Sequence, residues 1–379
     1  MGERVVMVLS NDCVSDPRVE KEARVLASSG REVTIVAWDR SGAAPAREKR
    51  DGFVIERVGP QAAYGAGLRS LPLFARFWAN ATSRVLELEP DVVHCHDLDT
   101  AVVGMRVRNR RDAVKVVLDF HELYRDASMV PQKGLVGIVA RTLVDVLERR
   151  AVARAALVFV ANPGTMDHYQ MLAGSRARAI PNAPDAEMFR PAESRPERLF
   201  TVGYIGSKRY VKGLLALIDI VGRHEDMAAL LAGGGVAERA VAQAAAGNGR
   251  IEVSGAFTYD ETPSLYRRID VSWVLYDAHL GNVRTSFPVK VMESMACGLP
   301  VIVYSGTWTG DFVERNGVGI AIDPDDPASG EEALLRLKDE PGLARAMGRR
   351  GRELIERELS WQHVSGTIVN AYETLTASG

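Results

Sequence analysis

Lys290 and Glu293 stand three residues apart in the segment Phe287 to Ile302. Its pattern predicts a short helix, a stop at Gly298 and a buried strand opening at Pro300. Pro288 suits the first helical position, where a missing N–H costs nothing. Phe287 before it has no side-chain oxygen, so the amides of Val289 and Lys290 lack an obvious cap. Uncapped amides at the positive end of a helix dipole make an anion site. Val289, Met292 and Ala296 follow core spacing, leaving Lys290 and Glu293 together on the other face. An ammonium and a carboxylate beside such a helix end suit a ligand carrying both phosphate and hydroxyls, as a nucleotide does.

A second basic group lies between a predicted strand and a predicted helix, in Tyr204-Ile205-Gly206-Ser207-Lys208-Arg209-Tyr210-Val211-Lys212-Gly213. Loops at the carboxyl edge of a parallel sheet are where such folds bind ligands. Lys208, Arg209 and Lys212 put three cations there, which suits a phosphate-bearing ligand. A solvated basic loop is the alternative. Gly233-Gly234-Gly235 follows another strand and suits a tight turn bordering the nucleotide; Glu238 stands where a dinucleotide fingerprint needs glycine. Phe257, just past Ser254-Gly255-Ala256, lies near a base or packs in the core.

Histidines mark the other half. His94-Cys95-His96-Asp97 ends one strand and Asp119-Phe120-His121-Glu122 the next. His94 and His96 share a face by the period of two. Separate strand ends without helical His spacing argue against zinc. Asp97-Leu98-Asp99 reads as the cap of a helix from Thr100 rather than a metal-binding Asp-x-Asp. In Ser10 to Arg18, Asp16 caps a helix that Pro17 opens.

These groups must be positioned by alternating strands and helices, which predicts parallel sheets covered by helices. A first series of strands covers Arg4–Leu9, Val33–Trp38, Val54–Val58, Asp91–Cys95, Val114–Asp119 and Leu157–Val160. A second covers Thr201–Ile205, Ala228–Ala232, Ile251–Val253, Val271–Leu275, Pro300–Tyr304 and Gly319–Ile322. Between them, prolines 184, 191 and 196 among polar residues mark a linker, with a boundary at 190–197. The expected domains are 1–190 and 197–359. The end is helical, Leu343 to Leu359 and then Trp361 onward.

With 379 residues the chain is long enough for two or three cores. A formal charge of −2 gives no global pull toward nucleic acid. Cys13, Cys95 and Cys297 are scattered, and no export pattern opens the chain, which predicts a cytoplasmic protein. Gly134 to Ala156 mixes apolar residues with Arg141, Arg149, Arg150 and Arg154. It reads as an amphipathic domain helix, with peripheral contact at the inner membrane face as the alternative.

The stretch from Pro288 to Ile302 resembles the retaining glycosyltransferases of the GT-B fold, in particular family four. It carries that family's Pro-x-Lys, then hydrophobic-Glu-x-Met-Ala-x-Gly-x-Pro-Val-Ile. Lys212-Gly213 is similar to the family's Lys-Gly pair on the donor pyrophosphate, and Arg209, with Lys208 as alternative, to its other basic residue. Asp16-Pro17-Arg18-Val19 with Glu22-Ala23 resembles family starts, and Ile180-Pro181-Asn182 its turn before the linker. The resemblance implies an α/β GT-B architecture: two Rossmann-like doubly wound domains facing a cleft, the C-terminal helix 361–379 completing the first.

It implies a metal-independent hexosyltransferase, with no cofactor, moving sugar from a nucleoside-diphosphate sugar to a hydroxyl of a glycan, lipid-linked or small-molecule acceptor. The donor would meet Gly206, Lys208, Arg209, Lys212, Gly234, Phe257, Val289, Lys290 and Glu293, the last on the ribose. The acceptor would meet Asn11, Asp16, Arg18 and His96. His121, Arg209 and Lys212 would be the catalytic residues. A hydrogen-bonded core histidine is the alternative for His121. Thr285 stands where the family's first Glu belongs, eight residues before Glu293. An epimerase or hydrolase on the same fold, or a non-catalytic nucleotide-sugar binder, are the rival readings.

Overall fold

The computed structural model describes residues 2–14, 16–62, 71–127, 130–192 and 198–377. The chain forms two compact units, Met1–Pro181 with Ser365–Gly379, and Asn182–Val364.

The first unit is built on β1 (Arg4–Val8), β2 (Glu32–Ala37), β3 (Arg47–Arg50), β4 (Phe53–Arg57), β5 (Val92–His96), β6 (Lys115–Phe120), β7 (Leu157–Val160) and β8 (Ala177–Ala179). They lie in the order β3-β4-β2-β1-β5-β6-β7-β8. Every pairing is parallel except β3 with β4. The central strands are buried on both faces, which is why they read as runs of valine rather than as alternation. Helices α1 (Pro17–Ser28), α2 (Leu71–Glu87), α3 (Asp97–Arg108), α4 (Gly134–Arg154) and α5 (Met166–Ala173) join them.

The second unit has β9 (Phe200–Ile205), β10 (Met227–Ala232), β11 (Ile251–Ser254), β12 (Val271–Trp273), β13 (Val301–Tyr304) and β14 (Gly319–Ile322), ordered β11-β10-β9-β12-β13-β14 and all parallel. Its helices are α6 (Val211–Arg223), α7 (Glu238–Ala245), α8 (Thr262–Tyr266), α9 (Gly281–Thr285), α10 (Val289–Ala296), α11 (Trp308–Asn316), α12 (Pro327–Asp339) and α13 (Pro341–Leu354). Both sheets reverse direction of winding beside their first strand, β1 or β9, as doubly wound sheets do.

All twelve expected strands are present, and two more were missed. β3, Arg-Glu-Lys-Arg, is a charged edge strand without an apolar face. The pair Glu48–Arg57 at 3.0 Å ties it to β4, and edge charge of this kind discourages pairing with other chains. β8 is three residues long, too short for a periodic signal. The passage between units also differs from the expected boundary at 190–197: it falls at Pro181–Asn182. The stretch up to Phe189 belongs to the second unit because Arg352 grips it, donating to the carbonyls of Ala186 at 3.0 Å and Phe189 at 2.6 Å. Residues 193–197 of that predicted linker lie outside the described residues.

The C-terminal helix is interrupted. α13 gives way to a π-helical turn, Ile355–Leu359, and after Ser360 the chain restarts as α14 (Trp361–Ala377). From Ser365 onward α14 belongs to the first unit. Tyr372 is fully buried there, and its hydroxyl hydrogen-bonds His94 Nδ1 at 2.9 Å. Among the described residues no helix is long and apolar enough to cross a membrane.

Tyr372 therefore anchors the end of the chain to the first sheet. Tyr372→Ala is expected to destabilise the first unit by about 3–5 kcal/mol in urea unfolding. Tyr372→Phe, which keeps the ring and strands His94 Nδ1, should cost about 1–3 kcal/mol.

Candidate functional site

In the second unit the carboxyl ends of β9, β10 and β11 each run into a glycine: Gly206, Gly233 and Gly255. Gly206 and Gly233 have φ of 127° and 122°, a region that side chains disfavour. A Cβ on Gly206 would collide with the Lys290 side chain, and one on Gly233 with the Gly206 carbonyl. The glycines let backbone and ammonium close up into one small region.

Lys290 is its centre. Its Nζ lies 4.0 Å from the centroid of the Tyr204 ring and 5.3 Å from that of Tyr276, and donates to the Tyr204 hydroxyl at 2.8 Å. Cation–π contact partly replaces lost water. Burial still dominates: it lowers the ammonium pKa to about 7, Glu293 pulling up and Arg209 pushing further down. Glu293 is buried on the same helix, and its Oε2 accepts the Tyr266 hydroxyl at 2.9 Å. Pro288 proves to be the N-cap rather than the first helical residue, because its ψ of 135° is extended. No side chain caps α10, and the Lys290 side chain, from its first turn, packs against Gly206.

Arg209 and Lys212 are exposed and line, with Tyr210 and Tyr304, a cavity of about 230 Å³. A larger cavity of about 670 Å³ opens beside Phe200, Asp270 and Pro300, where strands begin. The carboxyl edge is the ligand edge of an open parallel sheet, so the smaller cavity is the relevant one.

Lys208 is a correction. Its side chain is fully buried and donates to the carbonyls of Gly233 and of Ser254, the latter at 2.6 Å. It straps three loop ends together instead of meeting a phosphate. Its amide donates to Gly234 at 2.8 Å, fixing the glycine turn. Phe257 is half-buried against the cluster containing Phe189 and Tyr266, at the carboxyl end of β11. Thr285 closes α9.

The first unit gathers its titratable groups around Asp119, fully buried at the end of β6. Arg18 forms a two-pronged pair with it, at 2.6 and 2.8 Å, and also contacts Glu22 at 3.2 Å and the Ile180 carbonyl at 2.7 Å. His96 Nδ1 lies 3.0 Å from Asp119, and His96 stacks on His94 with centroids 4.5 Å apart. Arg18 and His96 are thus internal, a correction to their placement on an acceptor: both are buried and committed to Asp119. Burial opposes the Asp119 charge, but Arg18 and the two histidines hold it well below the usual carboxylate range. Glu22 is pushed up to about 7, by burial and then by Asp119.

Glu22, His94, His96 and Asp119 place ligand atoms within 4.8 Å of one another. The Arg18 guanidinium already supplies the positive charge between the two carboxylates, so this donor set does not fit a divalent ion well. Asp16 caps α1 by accepting the Val19 amide, and Asn11 is engaged locally, donating to Asp16 at 3.0 Å and accepting from the Cys13 amide at 2.9 Å.

His121 is the half-exposed member. Its Nε2 lies 3.0 Å from Asp119 and its Nδ1 3.2 Å from Asp97. Burial works against its charge, but Asp97 and Asp119 raise its pKa to about 9. It is an imidazolium near neutrality, so it acts as fixed charge rather than as a base. Asp97 has a φ of 68° because α3 starts at once after β5, not at Thr100. Tyr124 donates its hydroxyl to Asp97. Asp97, Tyr124 and Asp119 were not singled out as partners of His121. Asp119 was legible, since residues two apart on a strand share a face.

Residues 15–183 match the family model described as glycosyl transferase 4-like domain, and residues 185–354 the one described as glycosyl transferases group 1. A D-inositol 3-phosphate glycosyltransferase of Corynebacterium jeikeium is 24% identical over 238 residues, which cover 53% of this chain and 52% of that protein. The chain thus spans between about a fifth and a half of the length of the curated relatives it matches. The sucrose-phosphate synthase of Thermosynechococcus elongatus superposes with a TM-score of 0.81 at 18% identity, covering 100% of both chains. Anabaena HepE, in complex with UDP and glucose, superposes with a TM-score of 0.70 at 14% identity, over 98% of this chain and 100% of that one. At such identities the superpositions establish the fold.

His121 gives the first unit a pH dependence of known sign. A pKa raised from 6.5 to about 9 adds stability that is full below pH 6.5 and lost as pH climbs through about 9. His121→Gln is expected to flatten that slope in denaturation midpoints taken across the interval.

Proposed function

The chain belongs to the group 1 glycosyltransferases of the GT-B fold, and from that premise we propose that it transfers a sugar from a nucleotide-sugar donor to an acceptor hydroxyl, with retention and without a metal. One observation carries the reading: Arg209 and Lys212 line one cavity at the carboxyl edge of the second sheet, and at the same edge Lys290, whose pKa Arg209 lowers, packs against Gly206 from an α10 without a side-chain cap. A departing diphosphate develops negative charge there, and fixed cations with backbone dipoles stabilise it without reorganising. Glu293, held by Tyr266, accepts hydroxyls of the ribose. The likeness to HepE, a protein seen with UDP and glucose, supports a nucleoside-diphosphate sugar as donor.

In this mechanism the bond from anomeric carbon to diphosphate breaks as the acceptor oxygen bonds the same face. The electron pair leaves with the diphosphate. His121 is already charged and accepts no proton near neutrality, so the acceptor proton passes to the departing phosphate oxygen. The first unit takes the acceptor.

A thermal-shift screen of UDP-, GDP-, ADP- and TDP-sugars identifies the donor. At a hundred times its dissociation constant, the right one adds about 2.7 kcal/mol of stability. Lys212→Ala is expected to lower kcat by about 10²–10³. Turnover unmoved by that change, or abolished by a chelator, would refute the proposal; an inverted product anomer in NMR would refute retention.

Lys290 supplies a test by proton linkage. An anion beside it raises a pKa that stands at about 7 in the free protein. Above pH 7, donor binding should take up close to one proton and weaken as pH rises, in calorimetry across buffers of different ionisation enthalpy. Lys290→Met is expected to remove both effects.

A further inference from the structure

The cavity of about 670 Å³ sits over the amino ends of strands in the second sheet, at the edge opposite Gly206 and Lys212. Phe200 opens β9, Asp270 precedes β12 and Pro300 precedes β13. The last turn of α12 and one face of α13 form its wall. Gly348 seats α13 on the turn that ends α10, since a Cβ there would strike the Gly298 carbonyl. Protein interiors are otherwise close-packed, and a space of this size falls within the roughly 300–1,000 Å³ of small-molecule sites. Phe200, Pro300, Leu337, Pro341 and Ala344 give it an apolar lining.

Its charged groups are of two kinds. Asp270 is already compensated: Arg198 donates to it at 2.7 and 3.2 Å, and the Thr201 amide at 2.8 Å. Lys338 pairs with Asp226 and with Asp339, the latter at 3.5 Å. Arg352 donates to backbone carbonyls, that of Ala296 at 2.9 Å among them, and pairs with Glu356 at 2.7 Å. Arg345 and Arg349 are different. They lie four residues apart on α13 and so share a face, and both are exposed. Among the described residues neither has an ion pair or a side-chain hydrogen bond. The other lining carboxylate, Glu353, is exposed one turn further on. Two open guanidiniums against one such carboxylate leave the cavity with a net attraction for a negative group.

An apolar space beside two open guanidiniums fits a ligand that is apolar in its body and strongly acidic at one end. Guanidiniums match the oxygens of a phosphate group, with two N–H donors to one anion. We infer that this cavity is an accessory site for a small phosphate ester with an apolar or aromatic body, the body against Phe200 and Leu337 and the phosphate on Arg345 and Arg349. It stands apart from sugar transfer, which concerns the carboxyl edge of the same sheet.

Anilinonaphthalene sulfonate, an aromatic body with one fixed negative charge, is a fluorescent probe of that shape. Titrated into the full chain, it should show saturable binding that Arg345→Glu with Arg349→Glu weakens by about tenfold or more. Arg345→Lys with Arg349→Lys keeps the charges and should hold the affinity within about threefold. Both positions are exposed and unpaired, so unfolding midpoints should not move. Naphthyl phosphate should displace the probe, while naphthol or inorganic phosphate alone should need about ten times the concentration or more. Absence of saturable binding, or binding indifferent to the charge reversal, would overturn the inference. Displacement by inorganic phosphate as readily as by naphthyl phosphate would too, because the apolar lining would then play no part. So would binding that Lys212→Ala removes and the charge reversal leaves intact, which would put the probe at the carboxyl edge.

Discussion

A charge taken out of water has to find an opposite charge or a dipole, and this requirement shapes the carboxyl edge of both sheets. In the first unit Asp119 is the buried charge, and Arg18, His96 and His121 are arranged around it. In the second it is Lys290, met by the Tyr204 and Tyr276 rings and by Glu293. Pairing is tight in the first case and incomplete in the second. Asp119 is saturated and serves as a post on which helix α1, the end of β5 and the loop after β6 are fixed. Lys290 remains under-compensated, and an under-compensated buried cation is poised to gain from an incoming anion.

Glycine makes that second arrangement possible. Gly206 and Gly233 hold conformations that other residues resist, and each leaves a gap that a neighbouring chain segment or the Lys290 side chain fills. Lys208 shows the same physics with the opposite outcome. Its ammonium is turned inward to the carbonyls of Gly233 and Ser254, so it spends its charge on holding the loops. Of the three cations between residues 208 and 212, one is scaffold and two line the cavity.

Much of the fold was legible. The twelve strands announced themselves because sheets buried on both faces demand continuous Val, Ile and Leu runs. The stop at Gly298 and the cap at Asp16 follow from backbone chemistry that acts within a few residues. β3 escaped because an exposed edge strand carries charge instead of a pattern, and β8 because three residues hold no period. The crossing at Pro181–Asn182 was hidden because the grip of Arg352 on Ala186 and Phe189 joins residues more than 160 apart.

The site divides in the same way. Sequence by itself determined where the candidate segments fall: residues 206–213 and 233–235 follow strands, and 288–293 open a helix, each set by local pattern. It also determined that Lys290 and Glu293 share a helix. Only the tertiary structure decided what each charged side chain does. Whether Arg18, His96 or Lys208 faces a ligand or the interior depends on which segment, distant in the chain, arrives beside it. The same holds for His121, whose charge comes from Asp97 on one strand end and Asp119 on another. Ionisation and availability are set by desolvation and by neighbours in space, and neither quantity exists until the chain has folded.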